Sequence, residues 1–158
     1  MGGDASEVEI TTFVERHAPA FRALNLEWIE RYFVVEPEDL RMLDHPREEI
    51  LNLGGEIFVA LIDGEAVGTA AMIPIDHGFE LAKMAVSPAR QGNGVGRRLM
   101  SACLDFARAA DASEIMLVTN TVLEPAVTLY ESVGFEALDA IEDDRYARGN
   151  LEMRLRLD

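Results

Sequence analysis

Apolar and polar positions along the chain change period several times, and each change marks an element. Glu7 to Thr12 alternates weakly, as a first strand would. Phe21, Leu24, Trp28 and Tyr32 then recur at helical spacing beside Leu26, Ile29 and Phe33, which predicts an amphipathic helix with a wide apolar stripe. Pro37 suits the first turn of a new helix. The charged stretch from Glu38 to Leu53 reads as a second helical region, interrupted near Pro46 and ended by Gly54 and Gly55.

From Glu56 the period shortens. Ile57 to Ile62 is a β-prone run, Asp63-Gly64 a turn signal, and Ala66 to Ile75 the returning strand of a hairpin. Asp76-His77-Gly78 turns the chain again into Phe79 to Val86, which stops at Ser87-Pro88. Three antiparallel strands in succession are expected. The glycine-rich Gln91 to Gly96 opens a helix whose apolar face carries Val95, Leu99, Ala102, Cys103 and Phe106. Ile115 to Thr119 reads as a buried strand, and Pro125 to Ser132 as a helix stopped by Gly134. Leu151, Met153, Leu155 and Leu157 alternate with Glu152, Arg154 and Arg156, so the tail closes on a strand with one solvated face. The whole pattern is α+β.

Composition narrows the picture. At 158 residues and 49% apolar content, one domain over 1–158 with its own core is expected. No apolar run approaches bilayer length and the N-terminus lacks the segments of a signal peptide, so the expectation is a cytoplasmic protein that does not enter a membrane. Met1-Gly2 with Ser6 formally fits a myristoylation pattern, but one so short recurs by chance. The lone Cys103 and three separated histidines give neither a disulfide nor a metal cluster. A net charge of −15 repels phosphate backbones, which argues against nucleic acid and in favour of a cationic amine or basic peptide.

The candidate chemistry lies in Gln91-Gly92-Asn93-Gly94-Val95-Gly96, where glycines between a strand and a helix can aim several N–H groups at one anion. It is not a nucleotide triphosphate loop, because Arg97 and Arg98 stand where Lys and Ser/Thr are needed. It is not the dinucleotide fingerprint either, since neither register places a third glycine correctly.

With Gln91, Gly94 and Gly96 at the defining places of Gln/Arg-x-x-Gly-x-Gly/Ala, the loop resembles motif A of the GNAT superfamily of N-acetyltransferases. Leu81 to Val86 followed by Ser87-Pro88 resembles that family's central strand, and Asn120, Ala126, Leu129-Tyr130 and Gly134-Phe135 resemble its motif B, in order. The closest likeness spans Phe79 to Phe135. It implies an α+β (mixed α/β sandwich) fold in which helices flank a central mixed, mostly antiparallel sheet. It also implies an enzyme that transfers acetyl from acetyl-coenzyme A to a primary amine of a small molecule or protein by direct attack in a ternary complex. An acyl-coenzyme A binding or sensing module is the alternative.

The resemblance further assigns roles. The N–H groups of Gln91, Gly92, Asn93, Gly94, Val95 and Gly96 would hold the pyrophosphate, with Arg90, Arg97 and Arg98 adding charge. The backbone of Met84, Ala85 and Val86 would pair with the pantetheine arm, and an N–H there would stabilise negative charge developing on the thioester oxygen. Tyr130 would be the acid for the departing thiolate, Glu80 the base, and Asn120 a partner of the arm or the reacting centre. Glu27, Trp28, Tyr32 and Tyr146 would contact the acceptor. A homodimer is compatible with exposed strands near the tail.

Overall fold

A computed structural model describes residues 7–139 and 145–157. The N-terminal pattern at Gly2 lies outside them. Strands β1 (Val8–Thr12), β2 (Glu56–Ile62), β3 (Glu65–Ile75), β4 (Gly78–Val86), β5 (Glu114–Thr119), β6 (Glu136–Ala137) and β7 (Leu151–Arg156) form one sheet in the order β1-β2-β3-β4-β5-β7-β6. All neighbours are antiparallel except β4 and β5. The helices are α1 (Ala18–Tyr32), α2 (Pro37–Asp44), α3 (Pro46–Glu49), α4 (Val95–Ala109) and α5 (Glu124–Val133). This is the mixed, mostly antiparallel sheet flanked by helices that the resemblance implies.

Both faces of the central strands are covered, which is why β2 and β3 read as near-continuous apolar runs. On one face α1 and α2 bury Phe21, Ile29, Met42 and Leu43 against Ile57, Val59, Ala71 and Ile73. On the other, Leu99, Met100, Cys103 and Ala107 of α4 pack on Phe58, Ala60, Met72, Phe79 and Leu81. Each fully buried aliphatic or aromatic side chain contributes about 2 kcal/mol by leaving water, so the two layers clamp the sheet from both sides.

Local chemistry sets the boundaries. The hairpin between β2 and β3 turns on Asp63 and Gly64, both at positive φ, the pairing that matches the sheet twist. Helix α2 starts with Pro37 in its first turn, and the carboxylate of Asp39 accepts the backbone N–H of Glu36 at 2.9 Å. Gly134, at φ 117°, ends α5 and returns Phe135 onto the ring of Tyr130, 5.9 Å between centroids.

Two features position the site, and neither is visible in the hydrophobic pattern. First, β4 pairs with β5 only over Gly78↔Glu114, Phe79↔Ile115 and Glu80↔Met116, although β4 runs on to Val86 and β5 to Thr119. The strands splay beyond Glu80. Second, β4 carries a bulge against β3: Ala71 pairs with Ala82 and Thr69 with Ala85, so Lys83 and Met84 together oppose one residue. Lys83 sits at φ 51°, a left-handed conformation that is uncommon outside glycine.

Candidate active site

The splay opens a cleft of about 340 Å³. Its floor is Glu80 to Val86 on one side and Leu117 to Asn120 on the other, with Arg90, Gln91, Gly92, Gly94, Val95 and Gly96 at one end. Trp28 and Tyr32 of α1, with Phe33 just after it, close the opposite end together with Tyr146 and Arg148. Tyr130 and Leu129 of α5 complete the wall.

At the loop end, Gly92 (φ 86°) and Gly94 (φ 82°) adopt left-handed conformations and face open space where a Cβ would meet nothing. Gly94 is the N-cap of α4, whose exposed N–H groups and dipole favour an anion. The residues therefore fit a pyrophosphate. The amide of Gln91 donates to the carbonyl of Val86 at 3.2 Å, so this side chain fixes the end of β4 as well as belonging to the loop. Arg90 lines the cleft. Asn93, in the loop before α4, and Arg97, in its first turn, are exposed and do not line the cleft.

Tyr130, the expected acid, lines the cleft. It is 7% exposed, and burial, aided by Cys103, pushes its phenol up to about 12. It keeps its proton across the physiological range. Cys103 is wholly buried with its thiol pushed far above the usual value by desolvation, consistent with an inert core residue.

The other expected polar groups are more committed. Glu80 is buried at 8% exposure, not solvated, and it accepts a hydrogen bond from the guanidinium of Arg145. Asn120 lines the cleft, but its Oδ1 accepts from the N–H of Val122 at 2.8 Å and its Nδ2 donates to the carbonyl of Arg148 at 2.7 Å. Its side chain ties the segment before β7 to the end of β5. Glu27 is exposed on α1, paired with Arg31 at 2.7 Å, and does not line the cleft. Trp28, Tyr32 and Tyr146 do line it, and Tyr32 is 50% exposed at its rim.

Sequence reasoning missed an ionic cluster beside Tyr146 and Trp28. Asp39 of α2 is fully buried and receives Lys83 Nζ at 2.7 Å together with both terminal nitrogens of Arg148. Burial alone would raise the Asp39 carboxyl, yet the hydrogen bonds from Arg148 and Lys83 hold it down to about 2. Burial pushes the Lys83 ammonium below its usual value, and Asp39 opposes that shift. The Lys83 ammonium also donates to the Tyr146 hydroxyl at 3.2 Å. Burial, then the charge of Asp39, pushes the Tyr146 phenol up. The Arg148 guanidinium stacks over the rings of Tyr146 (4.5 Å), Trp28 (5.6 Å) and Phe33 (5.9 Å). Asp39, Lys83 and Arg148 lie far apart in sequence, so no local spacing announces them.

Among the described residues no helix is long and apolar enough to cross a membrane, and no group of His, Cys, Asp or Glu could hold a metal ion.

Comparison with known proteins gives the same frame. The chain is 31% identical over 101 residues to N-acetyltransferase 8 of Rattus norvegicus, an overlap of 60% of this chain and 46% of that protein. It thus spans about half the length of the curated relatives it matches. The fold superposes on a GNAT-family acetyltransferase from Staphylococcus aureus with TM-score 0.88 and 19% identity, covering 96% of this chain and all of that one (100%). It also superposes on the PaiA N-acetyltransferase of Thermoplasma acidophilum, determined in complex with coenzyme A, with TM-score 0.75, 14% identity and coverage of 96% and 99%. Residues 21–135 match the pattern described as the acetyltransferase (GNAT) family, and with the splayed strands and glycine loop already in place, this chain belongs to that family.

Proposed function

We propose that this chain is an acetyltransferase that passes acetyl from acetyl-coenzyme A to a primary amine of a small molecule or protein, by direct attack with both substrates bound. The observation that carries the reading is the gap between β4 and β5, which ends at a glycine loop on a helix N-terminus. A strand-like arm fits between two strands that no longer pair, and the loop fits the charge at the end of that arm.

Acetyl-coenzyme A, when bound, supplies an acetyl group activated as a thioester. The chain's own residues divide the remaining work. The N–H groups from Gln91 to Gly96 bind the pyrophosphate, with Arg90 beside them. The backbone of Met84, Ala85 and Val86 orients the arm. Tyr130, fully protonated at neutral pH, gives its proton to the departing sulfur. Glu80 takes the amine proton directly or through water. The Arg145 guanidinium that pairs with it holds the carboxylate in place beside the cleft. Trp28, Tyr32, Phe33 and Tyr146 form the acceptor wall and exclude water. The reading includes a single domain over 1–158 with its cofactor half in 79–135, a cytoplasmic setting, and a homodimer as the assembly.

An acetyl-transfer screen over polyamines, amino acids, aminoglycosides and basic peptides, read out by free thiol, tests it. Release of thiol with at least one acceptor class supports the reading. Tight binding of acetyl-coenzyme A with no acceptor in any class would overturn it in favour of an acyl-coenzyme A sensing module. The commitment of Glu80 and Asn120 to other partners is the observation on that side.

A further inference from the structure

A buried chain of hydrogen bonds runs from α1 to the bulge in β4. Asn25 and Thr69 are both 0% exposed. The indole N–H of Trp28 meets the side-chain amide of Asn25 at 3.1 Å. An indole can only donate, so the atom it meets is Asn25 Oδ1, and the orientation of that amide is fixed. Asn25 Nδ2 then donates to the carbonyl of Phe21 at 2.8 Å and to the hydroxyl oxygen of Thr69 at 3.1 Å. With its oxygen already accepting, the Thr69 hydroxyl is left to donate to the carbonyl of Lys83 at 3.1 Å.

That last bond acts on the one strained residue of β4. The bulge removes Lys83 and Met84 from the regular register with β3, and the Lys83 carbonyl takes a side-chain donor there. The Thr69 hydroxyl supplies its partner from the β3 side. The Lys83 carbonyl and the Met84 N–H belong to the same planar trans peptide and point in opposite directions. Holding the carbonyl toward β3 therefore holds the Met84 N–H toward β5. On that side the pairing of β4 has already ended at Glu80, and the cleft begins.

We infer that Thr69 and Asn25 are positioning residues that aim the Met84 N–H into the gap between β4 and β5 as the hydrogen-bond donor to the thioester carbonyl. This rests on the proposed function. Neither side chain touches substrate. Thr69 sets the peptide plane, and Asn25 sets the direction of the Thr69 proton. Trp28, on the acceptor wall, is the outer end of the same chain.

A hydrogen bond to a carbonyl lowers its stretching frequency, so the test is difference infrared spectroscopy of acetyl-coenzyme A, isotope-labelled at the acetyl carbonyl, bound to the protein. Affinity is measured on the same samples by calorimetry. With wild type, the bound carbonyl band is expected below that of free acetyl-coenzyme A. Thr69→Val keeps the shape and removes the donor, and its band should return most of the way to the free position while binding persists. Thr69→Ser should retain the wild-type shift. If Val is not tolerated at this site, Thr69→Ala gives the same reading. A Val or Ala variant that binds and keeps the full wild-type shift would overturn the inference, as would a wild-type band that does not shift at all. Failure of wild type to bind acetyl-coenzyme A would instead overturn the functional reading beneath it.

Discussion

The ammonium of Lys83 stands 2.7 Å from a carboxylate oxygen of Asp39, and both side chains are sealed from solvent, at 3% and 0% exposure. Lys83 is also the left-handed residue of the β4 bulge, so the pair joins α2 directly to the backbone irregularity that shapes the cleft. Two cations converge on Asp39, and removing its charge leaves the buried Lys83 ammonium without this carboxylate and Arg148 to its pairing with Glu36 at 3.3 Å. Asp39→Asn should therefore cost about 3 kcal/mol or more in urea unfolding. A loss below about 1 kcal/mol, the range of exposed pairs, would mean that the cluster contributes no more than a surface contact.

The same carboxylate sets an acid limit. Its folded-state value of about 2 lies below the usual 3.8, so its stabilising contribution is fully present above pH 3.8 and is lost as pH falls through 2. The contribution is on the order of 2 kcal/mol. Wild type should lose stability faster than Asp39→Asn between about pH 4 and pH 2, measured by thermal unfolding across that range. Parallel curves for the two proteins would contradict the assignment.

Tyr130→Phe removes a proton donor while keeping the ring that packs on Phe135. With an acceptor in hand, turnover should fall about a hundredfold, and calorimetric affinity for acetyl-coenzyme A should hold. Because the phenol titrates near 12, the wild-type rate should show no loss attributable to Tyr130 below about pH 10. An unchanged rate in the Phe variant would remove Tyr130 from its role as acid.

At Gly94 the backbone is at φ 82° and caps α4. Gly94→Val places a β-branched side chain in that region, at a cost of about 1–2 kcal/mol for the loop conformation. Affinity for coenzyme A should drop at least about tenfold, and melting temperature should fall by about 2–8 °C. Undiminished binding would show that the pyrophosphate is held elsewhere.

Asn120→Ala breaks the bond to the Arg148 carbonyl and the turn bond from Val122. Cleavage near Arg148 in limited proteolysis should accelerate, and the acceptor KM should rise with acetyl-coenzyme A affinity intact. If instead coenzyme A binding falls while proteolysis is unchanged, Asn120 serves the cofactor arm after all.

Most of the fold was legible because its signals are local. The helical stripe from Phe21 to Phe33, the Asp63-Gly64 turn, Pro37 and Gly134 each act within a few residues, and the observed elements begin and end close to them. The strand β6 escaped because two residues carry no periodicity. In the site, Gln91, Gly94, Gly96 and Tyr130 could be found because their spacing along one loop and one helix is itself the signal. Glu27 does not line the cleft, and helical spacing gives the face of such a side chain only relative to its neighbours. Its actual direction depends on how α1 rotates against the sheet.

By itself, the sequence determined the order of elements, the glycine loop on a helix N-terminus and the phenol at Tyr130, since turn chemistry, periodicity and capping operate over a handful of residues. Only the tertiary structure decided that β4 and β5 part beyond Glu80, that Lys83 and Met84 form a bulge, and that Asp39 gathers Lys83 and Arg148. Those are contacts between segments up to 109 residues apart. Burial is what gives them their strength, and burial belongs to the folded whole.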